Sequence, residues 1–158
     1  MQAHDAAPCF VCRKHGDPSL MPGGPVGADD LVVVSHLSPQ APGRAGNPVY
    51  LGHLFVEPRR HAAGLADLTE PEAQAAGSWC ARVSRARRDV AGADHVYAAV
   101  PGNGVPHLHV DLLARYPGMP PRFWGLNADE GPGAERGTAP QIAGLVTRLR
   151  TYPSQPPA

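Results

Sequence analysis

The chain has 158 residues, no formal net charge at pH 7 and 18% charged residues, so its balance points to neither nucleic acid nor a membrane surface as partner. That length suits one domain, 1–158, able to bury roughly 70% of its unfolded surface. No apolar run approaches membrane-spanning length and no N-terminal segment reads as a signal peptide, so a cytoplasmic protein is expected. Three cysteines, an odd number, argue against a disulfide framework.

Residues 1–8 read as a tail. CFVC follows, and then KHGDPSLMPGGPVGADD, whose Gly, Pro and Asp content predicts irregular chain. LVVVS, 31–35, is a β-branched run that predicts a strand, and VYLGHLFVEP, 49–58, predicts a second one. Thr69 is placed to cap a long helix, with Pro71 in the first turn and Glu72 at the capping-box position. Ala73, Ala76, Cys80, Val83, Arg87 and Val90 recur at helical spacing behind it, and Cys80 reads as a small buried residue. HVYAAV, 95–100, predicts a third strand, and the PGNG turn joins it to HLHVDLL as a hairpin. Residues 117–138 read as loop, and QIAGLVTRLR as a final amphipathic helix. Strands, helix, hairpin and helix in that order predict an α+β domain with an antiparallel sheet.

Two stretches carry chemistry. In VPHLHVDLL, His107, His109 and Asp111 alternate with Leu108, Val110 and Leu112, as the two faces of a strand would. Two imidazoles and a carboxylate in one row suit a metal or a phosphoryl group. In CFVC, Cys9 and Cys12 stand at a spacing that lets one short turn grip a single ion, though a redox pair has the same spacing. No strand precedes this motif and no helix obviously follows it, unlike a thioredoxin-like setting.

SPQAP at 38–42, GHLFVEPRRHAAGLADL at 52–68 and GNGVPHLHVDLLARY at 102–116, in that order, resemble the histidine-triad (HIT) superfamily of nucleotidyl hydrolases and transferases. With CFVC the resemblance spans about residues 9–116. It implies a HIT-like sheet of about five strands, one long helix and a C-terminal helix. It further implies that the middle histidine, His109, attacks the α-phosphorus of a nucleotide to form a covalent nucleotidyl-histidine. Asn103 matches an amide that bonds a phosphate oxygen, and Gly104 and Val105 would bring backbone N–H groups to the same place. The zinc-bearing branch implies a closed structural site of Cys9, Cys12, His53 and His107, with His15 and His61 as rival ligands. Many relatives are homodimers, so a second copy is an expected partner beside a small nucleotide or nucleotide conjugate, with no nucleic acid and no membrane.

Two positions depart from the family pattern. The third histidine is Asp111, whose carboxylate about 5 Å from a phosphate charge would cost roughly 3 kcal/mol at an effective dielectric near 20. It is expected to be protonated, to bind a cation on the substrate, or to orient His109. His36 stands where nucleoside-binding relatives often carry an aspartate on the ribose, and is expected to bond the sugar there. These departures leave a second reading, a nucleotide-binding or regulatory module that has lost the reaction. A third reading is an open zinc site of His107, His109 and Asp111, but same-face neighbours on a strand stand about 6.6 Å apart and three in a row would struggle to converge on one ion.

Overall fold

The computed structural model describes residues 9–153, so the expected tail at 1–8 lies outside the described residues. The centre is an antiparallel five-stranded sheet in the order β1-β2-β4-β6-β5. Its strands are β1 (Gly27–Ala28), β2 (Val32–His36), β4 (His53–Pro58), β5 (His95–Ala99) and β6 (Val110–Arg115). A separate pair joins β3 (Val49–Tyr50) to β7 (Arg136–Gly137). The helices are α1 (Phe10–Gly16), the long α2 (Glu70–Ala91) and the C-terminal α3 (Ala139–Arg150). This is the α+β architecture expected from the sequence. Among the described residues no helix is long and apolar enough to cross a membrane.

Alternation along the strands sorts the two faces of the sheet. Val32 and Val34 of β2, Leu54 and Val56 of β4, and Leu112 of β6 are all buried, and they form one core with Val83 and Ala86 of α2 and with Ile142 and Val146 of α3. The opposite face carries Ser35, His53, Phe55, Glu57 and Asp111. The long helices therefore cover one side, and the polar chemistry is gathered on the other.

Three expectations are corrected. The run 49–58 is not one strand. Tyr50 folds its ring over Gly52, where a Cβ would collide with it, and its hydroxyl donates to the Ala114 carbonyl at 2.6 Å. The chain turns there, and Tyr50 and His53 fall in different sheets. CFVC is followed by a helix after all: Cys9 is the N-cap of α1 and its sulfur accepts from the Cys12 amide. The loop 117–138 holds two short 3-10 turns, Pro121–Phe123 and Gly125–Glu130, as well as β7.

The start of α2 is built as its sequence predicts. Thr69 and Glu72 form a reciprocal capping box, and Gly92 closes the helix in the left-handed region at φ 72°. Arg60 donates to both Glu72 oxygens at 2.9 and 2.8 Å. Arg60, then the Thr69 amide, hold the Glu72 carboxyl down at about 2. Because the folded value lies below the ordinary one, this support is complete above about pH 5 and is lost as pH falls toward the folded value. The Tm difference between wild type and Glu72→Gln is expected to narrow between about pH 5 and pH 3. A constant gap across that window would show that the charge is not its source.

Candidate metal centre and adjoining active-site cavity

The segment from Val105 to His109 precedes β6 and is pinned by the turn after β4. Leu108 N–H donates to Ala62 O at 2.7 Å, and His107 Nε2–H donates to Pro58 O at 2.8 Å. The second bond fixes the His107 tautomer and leaves Nδ1 with a free lone pair. Burial also pushes His107 below its ordinary pKa, favouring the neutral ring that a metal needs. Nδ1 lies 3.5 Å from Cys9 Sγ and 3.4 Å from Cys12 Sγ, and Cys12 Sγ lies 3.4 Å from His61 Nδ1. The four donor atoms all fall within 4.8 Å of one another.

These distances fit a tetrahedral ion. Bond lengths of about 2.3 Å to sulfur and 2.0–2.1 Å to nitrogen give sulfur–nitrogen edges of about 3.5 Å. Burial, with the adjoining Cys9 thiol, pushes the Cys12 thiol above its ordinary value, opposite to what a reactive redox thiol requires. The cluster that can hold a metal is thus Cys9, Cys12, His61 and His107.

His53 is not among them. Its Nε2 lies 2.7 Å from Asp111 Oδ1, on the cavity side of the sheet. The rival His15 bonds Glu57 at 3.0 Å and is likewise outside the cluster. His61 prevails because the PRRH turn folds back under the 105–109 segment, a contact that spacing along one strand cannot announce. Nor do His107, His109 and Asp111 converge: the His107 ring is committed to the cysteines, and only its neighbours face the cavity.

That cavity, of about 480 Å³, is lined by His109, Asp111, His53, Asn103, Gly104 and Val105, by Ala41, Pro42 and Arg44 of the loop after β2, and by residues of α1. His109 Nδ1–H donates to the His107 carbonyl at 2.7 Å, which leaves Nε2 as the free, nucleophilic nitrogen. Gly104 takes φ 101°, a conformation that suits glycine and lets the backbone of the 103–105 turn border the cavity. Asp111 is pinned through Oδ1 by His53, whereas its buried Oδ2 has no partner among the described residues and lies 3.9 Å from His109 Nε2. His109 is therefore oriented by a carbonyl and not by Asp111.

His36 does not reach this cavity. It falls on the same face as Val32 and Val34, 1% exposed, with Nδ1 donating to Leu37 O at 2.8 Å. Burial pushes its pKa down to about 4, so the ring is neutral at pH 7. The period-two rule, extended one residue past Ser35, places it there. Beside the cavity, the buried Lys14 reaches Glu57 at 2.7 Å and Ser35 at 2.9 Å. Burial raises the Glu57 carboxyl, but Lys14 and His15 outweigh it and the net shift is downward. Lys14→Met would leave this carboxylate without its ammonium and is expected to cost about 3 kcal/mol in urea unfolding at pH 7, whereas Lys14→Arg would cost less.

Fold and site together define a small α+β domain with a histidine at a cavity wall beside a cluster of two cysteines and two histidines. The chain belongs to the HIT family, whose HIT domain matches residues 26–118. Similar solved structures include a zinc-bound histidine triad family protein from Mycobacterium smegmatis, 19% identical over 90% of this chain and 93% of that one, with a TM-score of 0.64. A hypothetical histidine triad nucleotide-binding protein from Sulfolobus tokodaii is 20% identical over 90% and 89%, with a TM-score of 0.66. A histidine triad protein from Bradyrhizobium japonicum is 26% identical over 80% and 87%, with a TM-score of 0.58. No curated protein matches the chain.

Proposed function

We propose that this protein takes a nucleotide or nucleotide conjugate into the cavity and transfers its nucleotidyl group, to water or another acceptor, through a covalent nucleotidyl-His109. The observation that carries this reading is the His109 Nδ1–H bond to the His107 carbonyl, which directs the Nε2 lone pair at the cavity. A neutral imidazole is the dominant form of an ordinary histidine at pH 7, so it attacks phosphorus without prior deprotonation. Asn103, Gly104 and Val105 line the same cavity as His109, which supports assigning them to the phosphate oxygens.

Zinc is the metal proposed for Cys9, Cys12, His61 and His107, because two thiolates and two imidazoles in a tetrahedron are its preferred donors. With four protein ligands it leaves no open position, and supplies a cross-link between α1 and the segment carrying His109. The zinc-bound relative from Mycobacterium smegmatis and the family's nucleotide-binding relative support the same reading. A homodimer is part of the proposal and is tested by sedimentation equilibrium.

The deciding experiment is intact-mass spectrometry after brief incubation with dinucleoside polyphosphates, nucleoside phosphoramidates and nucleotide sugars. An adduct of nucleotidyl mass, absent in His109→Ala, is the expected result. A second reading, a nucleotide-binding module without turnover, is favoured by the unpartnered Asp111 Oδ2 beside the expected phosphate position. Thermal stabilisation by a nucleotide that is never consumed would select it.

A further inference from the structure

Asp111 and His53 form a unit that the motif strand alone does not contain. Asp111 on β6 sits across from Phe55 on β4, and His53 is two residues from Phe55 on the same face. That diagonal relation brings long side chains of adjacent strands within reach. His53 Nε2 meets Asp111 Oδ1 at 2.7 Å, and only 12% of the Asp111 side chain is exposed.

The carboxyl is thus held by one oxygen while the other, Oδ2, is buried without a partner among the described residues. Oδ2 and His109 Nε2 are 3.9 Å apart, too far to bond each other. An atom lodged about 3 Å from both would touch the nucleophile and the free carboxyl oxygen together, which is the geometry a reacting centre requires. The other charged groups lining the cavity are Lys14, Glu57 and Arg44, and the first two are committed to each other at 2.7 Å. Oδ2 is therefore the acidic oxygen left free beside the nucleophile.

Resting on the nucleotidyl-His109 reading, we propose that Asp111 is the proton donor to the leaving group and that His53 is the positioning residue that aims it. In the first half-reaction His109 Nε2 bonds to the α-phosphorus. The bond from phosphorus to the leaving atom breaks, and that atom keeps the electron pair and takes the proton from Asp111 Oδ2. The resulting carboxylate is stabilised by His53 Nε2–H at Oδ1. In the second half a water oxygen bonds to phosphorus and the phosphorus–nitrogen bond breaks, its pair returning to His109 Nε2. The proton lost by that water goes to Oδ2. One water is consumed, and a nucleoside monophosphate and a protonated leaving group are released.

The test compares two leaving groups on the zinc-loaded full chain. A nucleoside 5′-monophosphate ester of 4-nitrophenol leaves without help, whereas the alkylamine phosphoramidate of the same nucleoside must gain a proton. For Asp111→Asn, nearly isosteric, the fall in adduct formation is expected to be at least about 30-fold greater with the amine than with the nitrophenyl ester, within the range of general acid catalysis. His53→Leu is expected to show the same selective loss, and His53→Gln, which keeps an N–H toward Oδ1, to regain part of it. Equal losses on both substrates, or none in Asp111→Asn, would overturn the proposal while leaving the His109 adduct standing. Selective loss in Asp111→Asn with a wild-type response in His53→Leu would overturn the pairing. Should wild type form no His109-dependent adduct from either substrate, the nucleotidyl reading falls and this inference falls with it.

Discussion

Cys12→Ala and His61→Ala are each expected to strip zinc from the protein, whereas His53→Ala keeps about one zinc per chain by metal analysis. The contrast is sharp because the two histidine rings meet different partners. His61 Nδ1 is 3.4 Å from Cys12 Sγ, while the His53 ring is turned to Asp111. Chelation or Cys12→Ala is expected to cost at least about 3 kcal/mol, since either removes the ion that links α1 to the 105–109 segment. In a domain of this size that is a fall in Tm of roughly 6–12 °C. The five-stranded sheet and its two long helices bury an apolar core on the far face, so the chain is expected to remain folded and not to melt outright. Zinc retained in His61→Ala and lost in His53→Ala would reverse the assignment.

His109→Ala is expected to lower turnover by about a thousandfold or more and to abolish the covalent adduct, with little change in Tm. The ring is half-buried at the cavity wall and contributes one carbonyl hydrogen bond and an edge contact with Phe55 to the fold. Its removal takes away the nucleophile but no part of the apolar core. His107→Ala would remove the metal ligand and the Pro58 bond together, so stability and activity would fall jointly. The two histidines, two residues apart, are thus expected to separate cleanly: one governs chemistry alone, the other governs both. Residual turnover of His109→Ala near the wild-type rate would dismiss the covalent route.

Much of this was legible in the chain, for identifiable reasons. The capping box at Thr69 and the β-branched run at 31–35 are local signals, and a long helix and a strand, Val32–His36, form there. The tight PGNG hairpin does not form: β5 and β6 pair, but residues 100–109 lie between them and the strand starts only at Val110. His107 beside the cysteines and His109 at the cavity wall are neighbours in the motif, but both precede β6 and do not lie on it. The ligand set failed at one place. His53 and His61 are both close to the β4 turn in sequence, and only the folding of PRRH beneath the 105–109 segment decides which ring meets the cysteines. His36 failed for a simpler reason: counting faces from Val34 puts it toward α2, away from the cavity. Helix α1 was hidden because seven residues between a cysteine and an aspartate give too short a window for periodicity to register.

The Cys2His2 cluster also orders events while the chain is being made. Cys12 and His107 are 95 residues apart, so at about 5–20 residues per second a ribosome takes roughly 5–20 s to deliver the second after the first. His61 follows Cys12 by 49 residues, about halfway through that interval, and the cluster lacks its fourth donor until His107 arrives. The earliest residues of the site are the last to be secured, and they are the ones open to oxidation in the meantime. The two thiols are therefore the vulnerable part of the site, and a reducing environment during synthesis determines how much of the protein reaches the finished form.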